Sequence, residues 1–188
     1  AAARELARLL DQAALSGGVD WDKLDTLVAD RQLAIHWQQS IDFLEIIAKH
    51  WPEDLERNVQ MDPYARRLAA AEATAESWQA NPPKGDIIIA GSTGADPSGR
   101  VLMKAAMTLP RALIVLPGLD RDVSPEAWGR IARAPNHPQF TIARTLRTLG
   151  LAPHEVAIWP GLTSSPQADA RRALVHEALA PADDTSGW

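Results

Sequence analysis

The chain has 188 residues, is 46% hydrophobic and 23% charged, and contains no cysteine, which excludes disulfides, thiolate zinc sites, iron–sulfur clusters and thiol nucleophiles. Its formal net charge of −5 argues against a chain whose main task is to neutralise phosphates by itself. No apolar run approaches the roughly 20 residues of a membrane span, and the first residue is Ala1 rather than Met, so we expect a cytoplasmic piece of a longer protein that does not contact a membrane.

The apolar spacing up to residue 81 predicts an all-helical N-terminal lobe. The strongest helical pattern runs from Leu33 to His50. Asp62-Pro63 predicts an N-cap followed by proline at the first helical position, and the alanine-rich run up to Ala80 has high helix propensity. A first helix is predicted from an apolar face at three- and four-residue intervals, formed by Leu6, Leu9, Leu10 and Ala13.

A cluster of helix breakers at residues 81–85, Asn-Pro-Pro-Lys-Gly, predicts the boundary between a helical lobe at 1–81 and a second lobe at 86–188. Short continuous apolar runs in the second lobe are typical of buried parallel strands, and we expect three of them, at 86–91, 112–118 and 156–159. Helical segments separate these runs, so the predicted fold class is α/β with a small parallel sheet. Their predicted starts are Ser98, Ser124-Pro125 and His137-Pro138, with a last helix from Pro166 to Leu179.

The turn from Gly91 to Arg100 follows a predicted strand and opens a helix, which is where α/β proteins often bind phosphates through backbone N–H groups. Ser92, Thr93 and Gly94 are therefore weak candidates for an anion site. The turn has no Gly-Lys-Ser/Thr sequence and lacks the glycine spacing of a dinucleotide fingerprint. A tight structural turn is the alternative interpretation.

Two carboxylates, Asp120 and Asp122, follow the second predicted strand. In α/β proteins, ligand-binding and active sites commonly lie at this carboxyl end of the strands. These carboxylates could hold Mg²⁺. Alternatively, they accept hydrogen bonds within a turn and beside the helix cap that follows, and we favour this structural role. His137 begins a helix and is interpreted as a cap rather than a base. The five histidines show no metal-ligand spacing. We therefore expect no metal, no cofactor and no catalytic residue within these 188 residues.

Residues 100–150 carry eight basic and three acidic residues, inside a chain that is otherwise acidic. Such a segment is either a solvated helix face, pairing with the acidic residues elsewhere, or a patch for nucleic acid. Arg144 and Arg147 are spaced to share one face of a predicted helix, and Arg130 and Arg133 repeat that spacing near the preceding helix. These four arginines are the candidate DNA-binding residues.

Several segments, in this order and spacing, resemble the AddB subunit of the bacterial AddAB helicase–nuclease, in its alphaproteobacterial form. They span nearly the whole chain. The segments are His36-Trp37-Gln38, Trp51-Pro52, Asp62-Pro63, Trp78 with Asn81-Pro82-Pro83, the strand and turn from Ile87 to Gly94, Leu109-Pro110, the run from Ile114 to Asp120, Trp128 and His137-Pro138-Gln139.

The resemblance implies an internal fragment of a subunit that repairs double-strand breaks together with an AddA-type helicase–nuclease subunit. It implies a degenerate superfamily 1 helicase-like fold, related to P-loop NTPases. Active relatives carry a glutamine that senses the γ-phosphate, where this chain has Gly91 to Gly94. Neither a Walker A motif nor the nuclease carboxylates and cluster cysteines occur here, so no catalytic role carries over to any residue.

The expected function is a non-catalytic, DNA- and partner-binding scaffold of a repair helicase–nuclease. A different class remains open: a small nucleotide- or phosphate-binding enzyme using the turn from Gly91 to Arg100. The parent subunit resembles an ATP-dependent exonuclease, but we expect this chain itself not to be an enzyme.

Overall fold

The computed structural model describes residues 2–15, 44, 50–161 and 163–181. The helix predicted from Leu33 to His50 therefore lies almost wholly outside the described residues. Contacts divide the chain into two compact units, Ala1–Ala73 with Asp96–Ser98, and Thr74–Ala95 with Gly99–Trp188. The predicted boundary at residues 81–85 lies outside any helix, and as a domain boundary it stays a prediction.

The first unit contains α1 (Ala2–Leu15), α2 (Trp51–Arg57) and the beginning of α3 (Pro63–Ala80). The predicted start of α3 is confirmed, because Asp62 Oδ1 accepts hydrogen bonds from the backbone N–H groups of Tyr64 at 2.8 Å and Ala65 at 3.4 Å. Pro63 stands at the first helical position, where its missing N–H costs nothing. The cap and the proline together fix this helix start locally.

The sheet in the second unit has two parallel strands, β1 (Ile87–Ala90) and β2 (Ala112–Val115), with Ile87 opposite Ala112. Helix α4 (Pro97–Ala106) connects them, as a parallel crossover requires. The described residues thus form a mixed helix and sheet structure of the α/β class. Ile88 and Leu113 are 65% and 45% exposed, so one sheet face is open where the sequence predicted burial on both faces.

The predicted third strand at residues 156–159 is wrong. Pro153–Glu155 form a single 3₁₀ turn, and residues 157–159 adopt no regular structure. Ile158 and Trp159 are 61% and 56% exposed, so the apolar run has no sheet surface to pack against. A four-residue apolar run flanked by Pro153 and Pro160 resembles a buried strand in composition alone, because periodicity cannot show whether a partner strand is adjacent.

The core of the second unit lies between α4, α5 (Pro125–Ile131) and α6 (Phe140–Leu149). Its four largest fully buried side chains are Met103, Ile131, Thr145 and Leu146. Helix α5 starts as predicted, at an N-cap formed by Ser124, and α6 ends at Gly150 in the left-handed conformation.

A last helix, α7 (Pro166–Ala178), starts as predicted at proline, and its N-cap is Ser165. In the described part of the chain, no helix is both long enough and apolar enough to cross a membrane.

Candidate functional site

The turn after β1 begins as a continuation of the sheet, since the Gly91 N–H donates to the Val115 carbonyl at 3.1 Å. Gly91 and Gly94 have φ values of 76° and 72°, the left-handed region that glycine enters without steric cost. The Gly94 N–H donates to Ser92 Oγ at 3.1 Å. Two of the backbone donors that a bound anion would use are therefore engaged within the protein.

Two buried side chains bind the carbonyl side of the same turn. Thr145 Oγ1, on α6, donates to the Thr93 carbonyl at 2.8 Å. Arg100 Nη1 donates to the Gly94 carbonyl at 2.6 Å and to the Ala95 carbonyl at 3.0 Å. Thr145 is 0% exposed and Arg100 is 7% exposed. One nitrogen of the Arg100 guanidinium thus binds two backbone carbonyls of the turn, and the turn is held against α4 and α6.

In the first unit, a carboxylate of the chain itself lies at the N-terminus of α4. Asp96 accepts from the Ser98 N–H at 2.9 Å, from Ser98 Oγ at 2.7 Å and from Arg67 Nη1 at 2.9 Å. Partial burial alone would raise the pKa of Asp96, but the hydrogen bonds from Ser98 and Arg67 outweigh it and lower the pKa below its ordinary value. A carboxylate is the group that a helix N-terminus attracts, and here the protein supplies it.

A second group of polar side chains follows β2, and we call it the β2 cluster: Asp120, His137, Gln139 and His176. His176 Nδ1, on α7, lies 2.7 Å from Asp120 Oδ2. The hydrogen bond that His176 donates to Asp120 is the main cause that raises the pKa of His176, against a smaller opposing effect of burial. Gln139 is 9% exposed, accepts from the Asp120 N–H at 3.2 Å and donates to the Gly118 carbonyl at 2.8 Å.

The hydrogen bonds of His137 assign its tautomer. Its Nδ1 accepts from the Gln139 N–H at 3.1 Å, so Nε2 carries the hydrogen and donates to the Leu179 carbonyl at 2.8 Å. Asp120 Oδ1 accepts from the Asp122 N–H at 3.1 Å, which is a local Asx turn. The geometry therefore agrees with the turn role predicted for this carboxylate pair. The helix predicted to begin at His137 begins instead at Phe140, with Gln139 at its N-cap position, so the predicted cap role of His137 is wrong. His137 instead bonds the Gln139 N–H and the Leu179 carbonyl, and so connects the turn before α6 to the residues after α7.

A cavity of about 260 Å³ adjoins the β2 cluster, with Ser124, Asp122 and Glu177 also on its wall. The Ser124 hydroxyl accepts from the Ala127 N–H at 3.1 Å as a helix cap. Among the described residues, no histidine is hydrogen-bonded to a serine hydroxyl, and no group of three histidine, aspartate or glutamate side chains could hold a metal ion. Within the described part of the chain, the hydrogen bonds of the β2 cluster join its side chains to one another and to the backbone.

The four candidate DNA-binding arginines lie on or beside two helices that pack together. Arg147 Nη2 donates to the Ala132 carbonyl at 3.3 Å, which places α6 beside the end of α5. Arg133 and Arg147 are exposed, whereas Arg130 and Arg144 are half-buried and engaged in further contacts. Leu146, between the two α6 arginines in sequence, is 0% exposed. Helix α6 thus has a buried side that contains Leu146.

Three residues that organise these sites are not evident from the sequence alone: Arg100, Thr145 and His176. The one sequence signal for Arg100 is its position in the first turn of a predicted helix, close to the glycine-rich turn. Thr145 and His176 carry no local signal, because their partners lie 52 and 56 residues away. Comparison of the chain with protein-family models, with curated proteins and with solved structures found no match.

Proposed function

We propose that this chain is a non-catalytic, helicase-like segment of a DNA double-strand break repair subunit of the AddB type, related to P-loop NTPases, that acts in the cytoplasm as a DNA- and partner-binding scaffold. The hydrogen bonds of the turn from Gly91 to Ala95 support the proposal that this chain is non-catalytic. The carbonyls of the turn bind Thr145 and Arg100, and its Gly94 N–H binds Ser92.

A phosphate site in this position works through backbone N–H groups and a lysine directed at the ligand. Here the buried cation of the turn, Arg100, binds the carbonyl oxygens instead. The turn therefore contributes to stability, and the proposal assigns it a scaffolding role. The proposed partner for this scaffold is an AddA-type helicase–nuclease subunit, and co-elution of the two chains in size-exclusion chromatography tests that assembly.

The DNA-binding part of the proposal rests on the basic segment. Arg133 and Arg147 are exposed on neighbouring elements, and the bond from Arg147 to the Ala132 carbonyl keeps them close. Two exposed guanidiniums, one in the turn after α5 and one on α6, can contact the phosphates of a single strand. Because the whole chain carries a net charge of −5, binding by this chain alone should be weak and strongly dependent on salt.

Fluorescence anisotropy with a labelled single-stranded oligonucleotide tests this proposal. We expect the double variant Arg133→Glu, Arg147→Glu to bind the oligonucleotide more weakly. The slope of the logarithm of its binding constant against the logarithm of the salt concentration should be smaller by about 0.7 for each phosphate that is no longer neutralised. The matched control is Arg66→Glu with Arg171→Glu, two exposed arginines outside the basic segment that give the same change in net charge.

If the control and the test variant weaken binding equally, the effect is one of net charge, and the basic segment is not a binding surface. If the test variant instead lowers the melting temperature and leaves DNA binding unchanged, the arginines pair within the protein. Either result overturns the DNA-binding proposal.

The enzyme alternative has its own test. We expect no turnover of ATP with Mg²⁺ and no binding of the nucleotide at micromolar concentration. Turnover that is abolished by Thr93→Ala would overturn the scaffold proposal and support a nucleotide-binding enzyme that uses the turn from Gly91 to Arg100.

A further inference from the structure

The last helix, α7, is attached to the second unit without an apolar core of its own. It has no buried residue, and Leu174 and Val175 are 68% and 55% exposed. Burial of apolar surface, which stabilises most helices in proteins, therefore contributes little to its position. The attachment must come largely from polar contacts.

Within the described residues, three polar contacts connect α7 and the residues just after it to the rest of the unit. His176 Nδ1 lies 2.7 Å from Asp120 Oδ2, and their side chains are 29% and 17% exposed. The Arg172 Nε lies 3.8 Å from Asp122 Oδ2, in an exposed pair that is weak in water. The Leu179 carbonyl accepts from His137 Nε2 at 2.8 Å. Of the two charged contacts, the one made by His176 is shorter and less exposed.

The charges around His176 favour its protonated form. Asp120 and Asp122 face it from the segment after β2, and Glu177 lies beside it on α7. Arg172 is a cation one turn earlier on α7, but it pairs with Asp122 and Asp169. His137 lines the same cavity, and its ring nitrogens bond the Gln139 N–H and the Leu179 carbonyl rather than His176. A positive charge on His176 is thus surrounded mainly by carboxylates.

We propose that α7 is a pH-sensitive latch, closed while His176 carries a positive charge paired with Asp120 and loosened when that charge is lost. The same contact that closes the latch, the hydrogen bond with Asp120, raises the pKa of His176 above its ordinary 6.5. The stabilisation of the α7 attachment by the charged His176–Asp120 pair is therefore complete below pH 6.5. It is lost as the pH rises through the raised pKa of His176. Loosening would expose the cavity wall that contains Ile131 and Gln139.

Hydrogen–deuterium exchange of the whole chain, read in peptides covering Pro166–Ala178, tests the latch. Across a pH series that brackets 6.5, and after correction for the intrinsic pH dependence of exchange, we expect protection of α7 to be constant below pH 6.5 and to fall as the pH rises above it. Asp120→Asn removes the charged partner, so we expect low protection throughout this range and no pH step. His154→Gln is the matched control, because His154 is an exposed histidine of the same unit whose backbone carbonyl, rather than its ring, accepts from Arg121.

A pH step that survives in Asp120→Asn, or one that disappears in His154→Gln, overturns the proposal. Constant protection of α7 in the unaltered chain across the same range also overturns it, and this measurement needs no variant to fold. An NMR titration of the His176 ring is a second measurement, and its midpoint should move to lower pH in Asp120→Asn. An unchanged midpoint in that variant would overturn the proposal as well. These outcomes are independent of DNA binding.

Discussion

Gly94 and Thr145 are in direct contact, although 51 residues separate them. Gly94 has a φ of 72°, and a Cβ atom built on it would overlap the Thr145 hydroxyl and lie 2.9 Å from its Cγ2 atom. Thr145 Oγ1 meanwhile donates to the Thr93 carbonyl at 2.8 Å. The turn after β1 can therefore approach α6 this closely only because position 94 has no side chain.

Gly94→Ala is expected to destabilise the protein by more than about 2 kcal/mol, from left-handed backbone strain together with overlap on a buried side chain. Urea unfolding measures this. Gly91→Ala separates the two causes, since Gly91 has a φ of 76° but nothing within 4 Å of its Cβ position, so strain alone should cost about 1 kcal/mol. Gly99→Ala, in open space within α4, should be neutral or stabilising. Equal effects at positions 91 and 94 would contradict the contact.

Arg100→Met should destabilise the protein by about 2–3 kcal/mol, because it leaves the carbonyls of Gly94 and Ala95 without their charged donor inside the protein. The control is Lys104→Met, an exposed residue of the same helix, for which we expect a change within about 0.5 kcal/mol. Thermal unfolding of both variants distinguishes them. Similar melting temperatures would show that the buried guanidinium is not needed to hold the turn.

The Arg67–Asp96 pair predicts a dependence of stability on acid pH. Because the pKa of Asp96 is lowered below its ordinary 3.8, its contribution is present above pH 3.8 and is lost as the pH falls through the lowered value. Asp96→Asn should therefore be less stable than the unaltered chain at neutral pH, and the difference should shrink in acid. The side chains are 57% and 31% exposed, so the effect should also decrease with added salt.

Urea titrations at a series of pH values measure that difference. The control is Asp54→Asn, which removes an exposed pair with Arg57 at 3.4 Å. A difference in the free energy of unfolding between Asp96→Asn and the unaltered chain that stays constant from neutral to acid pH would contradict this role of Asp96.

Ser124→Ala removes the N-cap of α5, whose hydroxyl accepts the Ala127 N–H at 3.1 Å. We expect a loss of about 1 kcal/mol in the free energy of unfolding. Ser124→Asp should restore most of it, because a carboxylate also accepts from the first turn and favours the helix N-terminus. Failure of the aspartate to rescue the alanine variant would argue that the serine acts elsewhere.

The sequence by itself determined the features that depend on neighbours a few residues away. The starts of α3, α5 and α7 follow from Asp62, Ser124 and Ser165, each a side chain that bonds a backbone group within three residues. The two strands follow from their apolar runs, and Gly150 marks the end of α6. The class of the fold is predictable at this level because local hydrogen bonding and periodicity set it.

Only the tertiary structure decided which of the predicted elements and side chains contact one another. The run at residues 156–159 has the composition of a strand, yet no strand forms there, because pairing depends on a neighbour that composition does not encode. The turn after β1 is completed by Arg100 and by Thr145, and the β2 cluster by His176. Thr145 and His176 reach partners more than 50 residues away, so burial, hydrogen-bond geometry and the pKa of His176 arise only when the folded chain brings these groups together.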